Sequence, residues 1–202
     1  MPTNAYRRAG VVGLAAVALV AASCTGSKSM GTPPPQQGGM SVTSTPQAPA
    51  PPTEVKLVGE RGVQVTLTGP IAAKYSSATQ DQKNALGKPL TGDHNAGIRP
   101  SGLVFQQFQG GVITAKNGDT GTPAYITLGK IREAWNVPRD PAGVPAVTGT
   151  NGSAGPLGYP TSDATAAGDS LVSSFEHGQI EYNPKTDQLQ VTVNGKAVPS
   201  GL

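Results

Sequence analysis

Two short signatures each occur twice in this chain of 202 residues, and in the same order. Leu86-Gly87-Lys88-Pro89 returns as Leu157-Gly158-Tyr159-Pro160, and Phe108-Gln109-Gly110-Gly111-Val112-Ile113 returns as Phe175-Glu176-His177-Gly178-Gln179-Ile180. Such self-similarity restricts the fold to one assembled from equivalent modules. A short helical pattern precedes each copy. It runs Gly69-Pro70-Ile71-Ala72-Ala73-Lys74-Tyr75 in the first and Leu128-Gly129-Lys130-Ile131-Arg132-Glu133-Ala134-Trp135 in the second.

The landmarks have readable physics. Ile71 and Tyr75, like Ile131 and Trp135, are spaced i,i+4 and lie on one helical face, and Thr68 or Gly69 ahead of Pro70 supplies a helix start. In Leu-Gly-x-Pro the glycine opens a backbone conformation closed to other residues. The proline fixes the next φ, so a rigid turn can tuck the leucine inward. In Phe-x-x-Gly-x-Ile the glycine suits a tight hairpin turn, with the aromatic closing one strand and the isoleucine opening the next. The expected repeat core is therefore Leu86, Pro89, Phe108 and Ile113 in one copy and Leu157, Pro160, Phe175 and Ile180 in the other.

Val63 to Leu67 and Pro123 to Thr127 read as strands leading into the two helices, and Leu189 to Val193 alternates before an Asn194-Gly195 turn. Tyr75, Phe108, Tyr125, Trp135, Tyr159, Phe175 and Tyr182 fall at or beside the landmarks and are expected in the core. These elements predict one small α+β domain over residues 54–202, built from two helix–turn–β-hairpin repeats (about 69–116 and 128–183) with short linking strands.

The beginning of the chain reads as an address. Arg7 and Arg8 precede an apolar run from Ala9 to Ala22, long enough for a secretory signal and too short for a spanning helix. Residues 1–23 are the expected signal peptide. Val20-Ala21-Ala22-Ser23-Cys24 resembles the lipobox of bacterial lipoproteins, with alanine where leucine is commoner. Cys24 is the only cysteine in the chain, so it can form no internal disulfide. The resemblance implies a lipidated Cys24 carrying fatty-acyl chains of the palmitate kind. Each buried methylene would contribute about 0.8 kcal/mol of anchoring on the outer face of the cell membrane. Residues 24–53 are rich in Pro, Gly, Ser, Thr and Gln and cannot bury enough apolar surface to order themselves; they read as a tether.

Charge excludes one class of partner. The formal net charge of +3 falls to +1 without Arg7 and Arg8, and residues 54–202 hold twelve basic and twelve acidic side chains. A neutral domain with scattered cations has no electrostatic footprint for nucleic acid.

Leu157-Gly158-Tyr159-Pro160-Thr161-Ser162-Asp163, followed by Phe175-Glu176-His177-Gly178-Gln179-Ile180-Glu181-Tyr182, resembles the LGFP repeat of exported proteins from bacteria with mycolic-acid envelopes. The first copy, with Lys88 in place of the aromatic and a longer insertion before Phe108, is a degenerate version. The resemblance implies a non-catalytic module that attaches proteins to the cell wall or helps maintain it. Its partner would be a cell-wall polymer or an envelope lipid. The alternative is a carrier or sensor lipoprotein that holds a lipid or glycolipid in an apolar cavity.

Candidate chemistry is sparse. Gly168-Asp169-Ser170-Leu171 spells the signature of GDSL esterases, yet the Asp-x-x-His pair that orients their base occurs nowhere in the chain, so the segment reads as a polar turn. His94 and His177 lack a second-ligand spacing, which argues against a metal site. No catalytic residues and no cofactor are expected. Tyr159, held between glycine and proline beside Thr161, Ser162 and Asp163, is the candidate binding residue: an aromatic displayed on a turn with hydroxyls nearby can stack on a sugar ring or lie against an acyl chain.

Overall fold

Alternation of β-branched and polar side chains runs through most of the domain, and in the computed structural model it builds sheets. The structure describes residues 52–147 and 155–202. The expected signal peptide, Cys24 and nearly all of the tether lie outside the described residues. Strands β1 (Glu54–Val58) and β2 (Gln64–Thr68) form an antiparallel pair. Helices α1 (Gly69–Ser77) and α2 (Gln80–Leu86) follow. A four-stranded antiparallel sheet then runs through β3 (Ala96–Ile98), β4 (Val104–Gln107), β5 (Gly111–Ala115) and β6 (Ala124–Leu128), in that spatial order. After α3 (Gly129–Asn136) a five-stranded meander contains β7 (Thr165–Ala167), β8 (Ser170–Phe175), β9 (Gly178–Asn183), β10 (Gln188–Val193) and β11 (Lys196–Val198).

This overturns the α+β class expected from the sequence. The described residues form three antiparallel sheets of eleven strands with three helices of nine, seven and eight residues, a mostly β architecture in place of helix–turn–hairpin repeats. The physical reason is edge satisfaction: a lone hairpin leaves two rows of unpaired backbone groups and is marginal in water. Here flanking segments that look like loops in the sequence, Ala96–Ile98, Thr165–Ala167 and Lys196–Val198, pair with the hairpins and extend them into meanders.

Side-chain alternation divides the interior between two cores that share the four-stranded sheet. Leu103, Phe105 and Val112 point to one side, where Ile131, Ala134, Trp135, Leu157, Phe175, Ile180, Val191 and Val193 meet them. Ile113, Ala115, Ala124 and Ile126 point to the other, against Leu67, Ile71, Ala72, Leu86 and Phe108. All five residues of β5 are buried because both faces of that strand are covered.

The two signatures form matching structures. Leu86 and Leu157 are buried, as are Pro89 and Pro160, which bridge to Phe108 and Phe175. The Gly110 N–H donates to the Leu86 carbonyl and the His177 N–H to the Leu157 carbonyl, both at 2.9 Å. Gly87 and Gly158 hold φ of 70° and 76°, the left-handed region that lets the turn reverse without a Cβ penalty. Tyr75 of α1 stacks on Phe108 and Trp135 of α3 tilts against Phe175, each pair with ring centroids 5.8 Å apart.

The hairpin glycines act differently from the expectation of a turn residue. Neither Gly111 nor Gly178 has a positive φ. A Cβ on Gly111 would stand 2.5 Å from the Thr127 carbonyl oxygen and 3.3 Å from Leu86 Cδ2. On Gly178 it would stand 1.9 Å from the Thr192 oxygen and 3.0 Å from Leu157 Cδ2. The glycine admits the buried leucine and the next strand to the same spot.

Candidate functional site

The candidate site lies around Tyr159, where the second Leu-Gly-x-Pro turn meets the four-stranded sheet. Left-handed Gly158 turns the chain and Pro160 ties it to Phe175, so Tyr159 is presented on a short rigid segment. Its backbone is clasped by one residue: the Tyr159 N–H donates to Glu176 Oε2 at 3.3 Å, and the Glu176 N–H donates to the Tyr159 carbonyl at 3.0 Å. The phenol donates to the carbonyl of Ser101, in the loop between β3 and β4, at 3.1 Å. The ring is half-buried.

Lys116, just past β5, completes the arrangement. Its ammonium sits 5.4 Å from the Tyr159 ring centroid and 2.8 Å from Glu176 Oε1, combining a cation–π contact with an ion pair. The hydrogen bond from Lys116 holds the Glu176 carboxyl below its usual range, helped by the Tyr159 N–H and opposed by partial burial. Glu176 in turn raises the Lys116 ammonium above its usual value.

Beside these groups is an open depression of about 200 Å³, lined by Lys116, Pro123, Tyr125, Tyr159, Thr161 and Glu176, among others. Two tyrosines and a proline supply apolar surface. Lys116, Glu176 and Thr161 supply donors and acceptors around it, the mixture a polyhydroxylated ring requires.

The structure divides the four candidate binding residues. Tyr159 and Thr161 line the depression. Ser162 Oγ accepts from the Ser174 N–H at 2.9 Å and so ties the turn to β8. Asp163 faces the fold: it accepts from Lys74, from Gln82 Nε2 at 3.1 Å and from the Ile126 N–H at 2.8 Å. Lys116, Glu176 and Tyr125 are site residues that sequence reasoning missed as such. Tyr125, placed in the core by sequence, is half-buried and lines the depression. Its strand alternation carries a signal, since Ala124 and Ile126 face the inner core and Tyr125 must face the other way.

The remaining motifs have structural places. Gly168 and Asp169 form the turn between β7 and β8, and Asp169 accepts from Lys185 Nζ at 2.7 Å. Ser170 opens β8 beside Glu181, Asn183 and Gln188. His177 is exposed in the β8–β9 turn and His94 is exposed before β3. Among the described residues no three His, Cys, Asp or Glu side chains gather to hold a metal ion.

The family model described as LGFP repeat matches residues 86–143 and 157–197. The chain belongs to the LGFP repeat family. Each matched LGFP segment opens on the leucine of a Leu-Gly-x-Pro turn, so Leu86 and Leu157 begin equivalent units and the Tyr159 site sits at the start of the second. LGFP repeats occur in extracellular and cell-envelope-associated proteins. No curated protein matches the chain.

Proposed function

We propose that this LGFP-repeat protein is a non-enzymatic module of the bacterial envelope, exported, held on the outer face of the membrane by lipid on Cys24, and bound through the Tyr159 depression to a cell-wall polysaccharide. The observation that carries the reading is the pairing of two LGFP repeats with an aromatic, hydroxyl-flanked depression where the second repeat meets the sheet of the first. The lipid on Cys24 is supported by the lipobox-like run ahead of it. A sugar ring stacked on Tyr125 or Tyr159, with its hydroxyls on Lys116, Glu176 and Thr161, would be bound by apolar contact and charge-assisted hydrogen bonds together. Among the described residues the two cores are filled by side chains and the depressions open to solvent, which favours wall attachment over a carrier that encloses a lipid.

The test is co-sedimentation of the full-length protein with purified wall fragments and, separately, with vesicles of envelope lipid. Retention by wall fragments that falls about tenfold in Tyr125→Ala, with thermal unfolding unchanged, is the expected result. Retention by neither, or retention indifferent to Tyr125→Ala and Tyr159→Ala, would overturn the wall-binding reading. Incorporation of a labelled fatty acid, lost in Cys24→Ala, tests the anchor.

A further inference from the structure

A second depression, beside the four-stranded sheet and sharing no lining residue with the first, holds buried polar atoms that have no partner. It lies between the β4–β5 hairpin and α3, holds about 100 Å³, and is lined by Arg99, Arg132, Thr114, Asn136, Gln107 and Trp135 among others. Its exposed lining is more polar than apolar although the residues behind it belong to the core.

The donor inventory is specific. Arg132 spends one N–H on Gln107 Oε1 at 2.6 Å, while its Nε is buried with no partner. Thr114 Oγ1, on a residue 2% exposed, is likewise buried without a partner. The Arg99 guanidinium rests on the Phe105 ring at 4.6 Å, which positions it without using its N–H groups. No carboxylate lines the depression, and Arg99 and Arg132 form no ion pair among the described residues. Glu133, next to Arg132 on α3, is paired with Lys130 at 3.2 Å. Burial lowers the Arg132 pKa from its usual value, and the nearby Glu133 carboxylate offsets this only in part. The Trp135 indole N–H is engaged elsewhere, with the Gly158 carbonyl at 3.1 Å.

Two guanidiniums, an unpartnered hydroxyl and an amide around a cavity of this size describe a receptor for a compact oxyanion. Guanidinium forks match carboxylate and phosphate in the same bidentate geometry. An orphaned buried donor in a native fold calls for such a partner. We infer that the Arg99–Arg132–Thr114 depression binds an oxyanion group, a carboxylate or a phosphate carried by an envelope polymer or present as a free ion. The site is separate from the Tyr159 depression and its test does not depend on wall binding.

Trp135 is the only tryptophan in the chain and lines the depression, so its fluorescence reports occupancy. The full chain is titrated with sodium acetate and with inorganic phosphate at constant ionic strength, chloride serving as the control for screening. A saturable change with acetate alone assigns a carboxylate ligand, one with phosphate alone assigns a phosphate, and one with both assigns an oxyanion receptor of broad tolerance. Arg99→Gln, at an exposed position, weakens binding about tenfold or more. Thr114→Val also weakens it while leaving or raising the unfolding temperature, because the substitution removes an unpartnered buried hydroxyl at nearly constant shape. No saturable change with either anion, or a change that persists unaltered in both variants, would overturn the proposal.

Discussion

Lys74 on α1 donates to the carboxylate of Asp163, eighty-nine positions further along the chain, and both side chains are about one-fifth exposed. The same carboxylate takes the Gln82 amide from α2 and the Ile126 N–H at the sheet, so one side chain after the second Leu-Gly-x-Pro turn holds three elements that precede it. Through the Ile126 N–H, Asp163 also supplies an acceptor to the backbone of strand β6.

Asp163→Ala should therefore destabilise the domain by about 1–3 kcal/mol, because it strands a partly buried ammonium and a backbone donor. Asp163→Asn keeps an acceptor for Ile126 and should lose less. Urea unfolding of both variants checks the order; equal losses would mean that the backbone contact carries none of the effect.

The glycines that face the buried leucines give a steric prediction. Gly178→Ala would drive a Cβ to within 1.9 Å of the Thr192 carbonyl oxygen, and Gly111→Ala to 2.5 Å from that of Thr127. In both cases the obstacle is backbone, which moves less readily than a side chain. Each should cost about 1–3 kcal/mol as overpacking, with Gly178→Ala the worse of the two by thermal unfolding.

Leu86 and Leu157 are each almost wholly buried, one in each core. Leu86→Ala and Leu157→Ala should each cost about 2–5 kcal/mol through lost transfer energy and the cavity left behind. The two cores share the sheet but no side chain, so the losses in the double variant should sum closely. A large departure from additivity in denaturant unfolding would show that the cores are coupled.

Acid should loosen the Tyr159 clasp. The Glu176 carboxyl is held low chiefly by the Lys116 hydrogen bond. A depressed folded-state pKa contributes stability that is present above the unfolded value and lost as pH falls through the folded one. Unfolding temperature should thus drop as pH is lowered beneath the ordinary carboxylate range, and Glu176→Gln should flatten that part of the profile. A profile unchanged by Glu176→Gln would sink the assignment.

How much of this was legible is seen best residue by residue. The helix starts at Gly69 and Gly129, the strands through Val65, Ile126 and Val191, and the repeat kinship obey local rules of periodicity and turn stereochemistry, which a sequence displays directly. Helix α2 is legible too, since Thr79 and Gln82 form a capping box. The mostly β class was not legible, because Ala96–Ile98, Thr165–Ala167 and Lys196–Val198 are short, and their strand state comes from the hairpin edges they complete.

The amino-acid order by itself determined a duplicated unit with a left-handed glycine behind each leucine, the charge balance, and Tyr159 as an aromatic on a turn. Only the tertiary structure decided that one sheet would serve two cores, that Lys116 and Tyr125 would join Tyr159, that Asp163 would be spent on Lys74, and that Arg99 and Arg132 would share a depression. Those contacts link residues dozens of positions apart. Their partners are chosen by register and packing across the fold, which no local pattern encodes.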